Sequence, residues 1–506
     1  MSKSEMTRRT FLAASASSAA LSIVPRSVLG GVGYVAPSDR INLGFVGCGT
    51  QGLRQMIQAL PKEELHFQAV CDPNKGSNDY IPWGKDELKN KIRRFLEDPN
   101  WASGIEGCYC GRDVGKEVVE KYYAKAREAG SYTGCNAYAD FREMLEKESD
   151  LDAVYVMTPD HLHATVAMAA MKKGKHIITH KPISNFFMET HQTIEASKQA
   201  GVATHMFCAA DQQATPQLCE WIWSGAIGDV RDVHNWSSRP FWPQGMAAYP
   251  TESVPVPDGL DWDLWLGPSP DRPYHPSLTH AVFRGWYEFG AGALGDMGHY
   301  SMYQVFKIMK LGMPKAIEAS RSQYWAIIDH MWQKQENRVS YPRASTIHWE
   351  FPAREGMPPL SVFWYDGGIR PPKPAELDAD GEDLPTEGML FVGDKGKILC
   401  TFNGGRPRLI PKSKMDAFTA PPEKLPRPID ELDQWIRACQ GGEAAGANFE
   451  AITPLAKSLS LGNIALRIDK KLTWDDAAGK FSNSEDANQL MLRKYRPGWE
   501  IQGANA

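Results

Sequence analysis

Outside its first thirty residues the chain has no apolar run long enough to span a bilayer, so no membrane partner is expected. It has no stripe of lysine and arginine either. With a formal charge of −5, neither nucleic acid nor another polyanion is an expected partner. Cysteine is sparse and irregularly placed, and nine residues in 506, an odd count, do not describe a disulfide framework. Cys108-Tyr109-Cys110 with Cys135 could close a loop by a disulfide or hold a metal. No C-x-x-C or histidine pair stands nearby, so a structural loop with at most one bridge is favoured and no metal is expected. Global disorder is excluded as well. Hydrophobic content of 42% and charge of 23% are ordinary for a folded protein, and the length suffices for two or more domains.

The first thirty residues read as an address. Thr7-Arg8-Arg9-Thr10-Phe11-Leu12 is a twin-arginine pattern, and the Ala/Ser-rich run after it to Val24 is too short to span a bilayer. Residues 1–30 are therefore expected to be a signal peptide, and the protein to be periplasmic or otherwise exported. The segment is basic, so the remainder is more acidic than the whole. Twin-arginine export moves folded proteins, which suits one loaded with a cofactor.

The stretch from Ile41 to Leu60, INLGFVGCGTQGLRQMIQAL, is an apolar run, a glycine turn and an amphipathic segment. Gly47 permits a tight turn, Gly49 admits a pyrophosphate to the backbone, and Gly52 lets helix and strand pack closely. The N–H groups of the first turn, at Thr50 and Gln51, then face the pyrophosphate. A second apolar run, His66 to Val70, ends at Asp72, about 20 residues past the last glycine, where an acid would hold the ribose hydroxyls. A carboxylate there favours NAD, and Lys75 leaves NADP possible.

Residues 73–135 interrupt the βαβ rhythm as a polar insertion with one expected helix, Gly115 to Glu128. The rhythm resumes with a helix from Phe141 to Glu148 and a buried strand, Leu151 to Met157. That strand ends in Thr158-Pro159-Asp160-His161-Leu162-His163, and the next, Lys175 to Thr179, in His180-Lys181-Pro182. Ligands of doubly wound sheets lie beyond the carboxyl ends of strands. Thr158, Pro159, His161, His163 and Lys181 are thus expected on the nicotinamide side.

In order, the twin-arginine leader, INLGFVGCGTQG, TPDHLH, GKHIITHKP and GAGALGDMGHY resemble the Gfo/Idh/MocA oxidoreductases, the family of glucose-fructose oxidoreductase and inositol dehydrogenase, and its exported subgroup in particular. The resemblance covers most of the chain from about Asp39. It implies that Lys181 lies beside the nicotinamide and holds the substrate oxygen, where an ammonium polarises a carbonyl or acidifies an alcohol. Two positions depart from the family pattern. Its usual Glu-Lys-Pro is here His180-Lys181-Pro182, and its usual Asp and His four apart become Asp296 and Tyr300, with His299 one residue earlier. Either His299 is the general base, oriented by Asp296, or Tyr300 replaces it. His299 is favoured.

The expected fold is α/β: a Rossmann doubly wound parallel sheet, then an α+β domain with a large, mostly antiparallel sheet open on one face. Expected segments are the 1–30 signal peptide, a 39–184 dinucleotide-binding domain containing the 73–135 insertion, a 185–430 substrate and oligomerisation domain, and 431–506, helices and a tail packing across both. Strands are expected at Val230–Ser237, Ala316–Ile327, Ala344–Phe351, Leu360–Tyr365 and Met389–Phe402. The open sheet would support a homo-oligomer. A long excursion, Arg239 to about Gly312, carries Trp262 and Trp286, whose faces suit sugar C–H groups, and Arg284, which suits hydroxyls.

The leading expectation is an NAD(P)-dependent enzyme that oxidises a sugar or glycoside hydroxyl and holds its cofactor tightly, because an exported protein meets no dinucleotide pool. The alternatives are a redox-neutral glycosidase, which oxidises, eliminates, hydrates and reduces in one cycle, and a non-catalytic sugar-binding protein.

Overall fold

The computed structural model describes residues 35–208 and 214–501. The twin-arginine segment lies outside them. In chain order the first strands are β1 (Ile41–Val46), β2 (Leu65–Cys71), β3 (Ser77–Tyr80), β4 (Cys108–Cys110), β5 (Asn136–Tyr138), β6 (Ala153–Val156), β7 (His176–His180) and β8 (Thr204–Phe207). Six of them form one sheet in the order β5-β2-β1-β6-β7-β8, with every pair parallel. Parallel strands covered by helices on both faces must be apolar throughout, and β6, AVYV, is buried at all four residues. The helices are α1 (Thr50–Ala59), α2 (Glu87–Leu96), α3 (Arg112–Ala126), α4 (Phe141–Lys147), α5 (His163–Lys172) and α6 (Phe187–Ala200). The order reverses between β1 and β6, which opens a crevice at their carboxyl ends.

The insertion holds two helices rather than the one expected, and a two-stranded antiparallel hairpin of β3 and β4. Helix α2 is masked in sequence by its charge. Only Leu88, Ile92 and Leu96 are buried, four apart, which is one helical face. An ion pair of 2.5 Å from Arg54 on α1 to Glu87 holds its start. The thiols of Cys108 and Cys110 lie 3.9 Å apart, and all nine cysteines are free, so the loop stands without the bridge that the sequence left open.

The parallel sheet continues through β8, so the dinucleotide domain extends beyond the expected limit at residue 184. The second sheet contains β9 (Val230–Trp236), β10 (Ala316–Arg321), β13 (Ser345–Phe351), β14 (Leu360–Tyr365), β15 (Gly388–Gly393), β16 (Lys397–Cys400), β17 (Arg408–Ile410), β18 (Leu472–Asp475) and β19 (Lys480–Phe481), in the order β17-β16-β15-β9-β14-β13-β10-β18-β19. Only β9 and β14 run parallel. Strict alternation of buried and half-buried residues along β13 and β14 is that of a sheet packed on one face. Two expected strands are each split. Met389–Phe402 turns at 394–396 into a hairpin, and Ala316–Ile327 breaks after Arg321, where β11 (Tyr324–Ile328) and β12 (Met331–Gln335) leave the sheet as a separate hairpin.

Helices α7 (Ala214–Trp223), α8 (Trp262–Leu266), α9 (His299–Ile308), α10 (Glu431–Cys439) and α11 (Thr453–Ala465) complete the elements used below. One core runs through both domains, joining Val156 and Ile177 of the parallel sheet to Leu459 of α11 and Trp349 and Trp364 of the second sheet. Helix α10 returns to the other face of the parallel sheet with Leu432, Trp435 and Ile436. Among the described residues no helix is long and apolar enough to cross a membrane.

The tail fastens these parts. Arg493, fully buried, pairs with Glu189 of α6 at 2.7 Å and Glu288 of the excursion at 3.1 Å, and donates to Asn185 at 2.7 Å. Arg493→Ala leaves two carboxylates buried without their cation. We expect a loss of about 3–5 kcal/mol in apparent stability, read from the urea midpoint. A midpoint within error of the parent would show that the tail is not a fastener.

Candidate active site

The glycine turn is built for a close ligand. Gly47 has φ of +103°, and a Cβ there would overlap the backbone of Met157 and Thr158. A Cβ on Gly52 would overlap Gly47 O. Gly49 sits at the start of α1, where the first N–H groups, those of Thr50 and Gln51 among them, have no intrahelical acceptor. Gln51 Oε1 is buried without a partner. An open helix start with glycine on its approach side fits a pyrophosphate, and the Gln51 acceptor suits a donor such as a hydroxyl instead. Asp72, at the end of β2, accepts from Cys48 N at 2.7 Å and Asn74 N at 2.8 Å. It therefore braces the turn, and only its remaining lone pairs face a ribose. Burial raises its pKa against those two bonds.

Both domains cover the turn. A ring carbon of Tyr80 on β3 lies 3.2 Å from where a Gly49 Cβ would be. The Tyr80 ring meets that of His280 at 3.9 Å between centroids, and His280 pairs with Asp79 at 3.2 Å. Beside them Lys75 N donates to Gly259 O at 2.8 Å, and Asp261 N to Pro73 O at 3.0 Å.

At the end of β7 the strand delivers Lys181 into the interior, where it is 1% exposed. An ammonium there needs a counter-charge. Its Nζ donates to Asp296 Oδ1, which Arg284 Nε meets at 3.0 Å, and Arg284 also stands 3.7 Å from Asp160. Asp160 in turn accepts from Ala291 N at 3.0 Å. Two cations and two carboxylates from three segments thus balance. Burial would raise the Asp296 carboxyl, but Lys181 and Arg284 hold it below its usual range. Burial lowers Lys181 despite Asp296. Asp160 was not singled out in sequence, though it lies inside the TPDHLH motif.

Asp296 lies in a π-helical turn, Leu294–Gly298, that opens directly into α9. Such widened turns concentrate at functional sites. His299, the favoured base, bonds Gly295 O of its own helix through Nδ1 at 2.8 Å and is pushed down to about 4 by burial. Its Nε2 is buried without a partner. Tyr300 instead reaches the strand end. Its hydroxyl is 2.9 Å from His180 Nε2, and its ring lies 5.0 Å from Lys181 Nζ. The structure therefore joins Lys181, Asp296, Arg284 and Tyr300, while His299 is held to its own helix through Nδ1 and keeps Nε2 unpaired. His180 was seen in sequence only as a departure from a pattern.

Other expected contacts serve as braces. Thr158 borders the glycine turn, and Pro159 caps the short 3-10 turn that follows. His163 sets Nδ1 against Pro182 O at 2.6 Å and Nε2 against Thr158 O at 2.8 Å, so it ties the ends of β6 and β7 together. His161 bonds Trp265 O at 2.9 Å, and burial lowers it to about 3. Trp286 is buried against Tyr249, and Trp262 stacks on Trp265 at 4.8 Å. Trp286 belongs to the excursion's own buried core, which removes it as a sugar platform, and Trp262 packs half-buried against that core. Arg284 and Tyr300 retain partial exposure.

A Rossmann sheet whose strand-end lysine meets a carboxylate from a mixed-sheet domain defines a two-domain, dinucleotide-fold oxidoreductase class. Comparison with known proteins narrows it. Residues 115–207 match "Oxidoreductase family, NAD-binding Rossmann fold", and 228–334 match "Oxidoreductase family, C-terminal alpha/beta domain", both of the Gfo/Idh/MocA type. The two matches fall in the parallel-sheet and mixed-sheet domains respectively. The chain is 31% identical over 115 residues (22% of this chain, 33% of the relative) to dTDP-3,4-didehydro-2,6-dideoxy-alpha-D-glucose 3-reductase of Streptomyces violaceoruber. It is 32% identical over 136 residues (25% of this chain, 34% of the relative) to levoglucosan dehydrogenase of Pseudarthrobacter phenanthrenivorans. The matched part spans about a third of the length of these curated relatives. In fold it is similar to the WlbA dehydrogenase from Bordetella pertussis in complex with NADH and UDP-GlcNAcA, with a TM-score of 0.51 at 16% identity, covering 86% of this chain and 99% of that one.

The charge balance gives a test that needs no substrate. Lys181→Met leaves Asp296 paired with Arg284, so the melting temperature should stay within a few degrees. Asp296→Ala strands the buried Lys181 and leaves Arg284 only Asp160 at 3.7 Å, and should cost about 3–5 kcal/mol. Equal effects of the two changes in thermal and urea unfolding would contradict the arrangement.

Proposed function

We propose that the protein is an NAD-dependent oxidoreductase of a carbohydrate hydroxyl that keeps its cofactor through turnover. The observation that carries this reading is Lys181, a buried ammonium at a parallel strand's carboxyl end beside the dinucleotide turn, with Arg284 and Tyr300 partly exposed around it. A bound nicotinamide supplies the hydride acceptor. Lys181 would hold the substrate oxygen and stabilise it as an alkoxide, and Tyr300 would take the hydroxyl proton. Asp296 and Arg284 keep the ammonium aimed. The substrate class rests on the relatives, a reductase of a nucleotide-linked deoxysugar and a levoglucosan dehydrogenase.

Retention of the cofactor rests on the Tyr80–His280 cover and on export by the twin-arginine route, which is part of the same proposal. A chain that folds around its dinucleotide and then leaves the cytoplasm must regenerate it in place.

Purified mature protein should release NAD on denaturation, identified by mass. Its nicotinamide absorbance should change when aldoses and anhydrosugars are added without free cofactor. Cleavage of aryl glycosides with no net absorbance change would select the redox-neutral reading, and absence of any dinucleotide binding would overturn the enzyme reading. Tyr80→Ala should release the bound dinucleotide about tenfold faster or more on gel filtration. An unchanged release rate would remove the cover from the argument.

A further inference from the structure

His180 and Tyr300 come from different domains, one ending β7 and the other in the first turn of α9, and meet at 2.9 Å between Nε2 and the phenol oxygen. His180 is 5% exposed, with its ring also stacked near Phe207. A phenol is an acceptable conduit for a proton but a poor final acceptor, because burial and then Asp296 hold Tyr300 well above its ordinary pKa. An imidazole in contact with it removes that difficulty.

We propose that His180 is the terminal proton acceptor of the site, acting through Tyr300. This rests on the proposed oxidoreductase reading. The substrate O–H proton passes to Tyr300 Oη as the Tyr300 Oη–H proton passes to His180 Nε2. The C–H hydride leaves to the bound nicotinamide, and the carbon–oxygen bond becomes a carbonyl. One proton and one hydride are removed, and His180 is left as imidazolium until it returns the proton in the reductive half or loses it to water. His180 touches no reacting atom and is a positioning and relay residue. The charged and titratable groups facing it are Lys181, His163, Arg284, His299 and Tyr300. Burial first, and then positive charge led by Lys181, push it well below its ordinary value, so it is neutral and receptive at neutral pH. Oxidation should therefore stay on its plateau well into the acid range and fall only as His180 protonates.

The test compares His180→Gln, His180→Glu and Tyr300→Phe. Glutamine keeps a hydrogen-bonding group but cannot take a proton, whereas glutamate is nearly the same shape and can. With whichever aldose or anhydrosugar the parent oxidises, His180→Gln should lower kcat about 10²-fold with KM within about threefold, and lose the acid limb. His180→Glu should recover to within about tenfold of the parent, with the limb moved. Equal losses in the two variants, or loss expressed only in KM, would overturn the proposal while leaving the oxidoreductase reading intact. A readout without substrate is the histidine tautomer by nitrogen NMR. His180 Nε2 should be an unprotonated acceptor whose resonance moves in Tyr300→Phe. A protonated Nε2, donating to the phenol, would overturn the relay even if no sugar is turned over.

Discussion

An ammonium at the end of a buried parallel strand cannot stand alone, since removing such an ion from water costs several kcal/mol even after relaxation. Lys181 is compensated by Asp296, which belongs to the other domain, and Asp296 is shared with Arg284. The charge best placed for chemistry is therefore also a constraint on how the two sheets sit together. Arg284 extends the constraint to Asp160 at the end of β6. Any drift of the second domain would separate a cation from its carboxylate in a low-dielectric interior, where that is costly. The π turn serves the same end, because it places the Asp296 carboxylate beside Lys181 while the next turn directs Tyr300 toward β7.

The same division of labour recurs around the dinucleotide turn. Its cover is made of Tyr80 from the insertion and His280 from the excursion. Elsewhere Arg493 from the tail fastens carboxylates of both domains. Each closure needs a residue from each side, so opening the turn requires the domains to part.

The parts legible in sequence are those where the backbone imposes a residue type. Gly47 must tolerate positive φ, Gly52 must clear a carbonyl, and strands covered on both faces must be apolar, so β1, α1, β6 and β7 could be placed from their letters. Direction was not legible. Trp262 and Trp286 carry the faces a sugar needs, but aromatic rings in a long loop lower their free energy most by stacking on one another, and these do. His299 and Tyr300 stand three and four residues past Asp296, which an ideal helix puts on one face. The π turn removes that equivalence, and spacing alone cannot announce it. Asp160 and His180 were adjacent to residues already marked, but their roles depend on partners more than a hundred positions away.

The two departures from the family pattern prove to be contacts of one another. A carboxylate at residue 180 would add an anion near Lys181, whereas a neutral imidazole adds none, and Lys181 pairs with Asp296. A second imidazole in place of Tyr300 would put two groups of similar basicity in contact, and a proton taken up would be shared between them. A phenol against an imidazole differs widely in basicity, and burial keeps the phenol protonated while leaving the imidazole neutral. The proton then has one open acceptor on the protein. That asymmetry gives the pair a direction, and it requires both residues to differ from the pattern together.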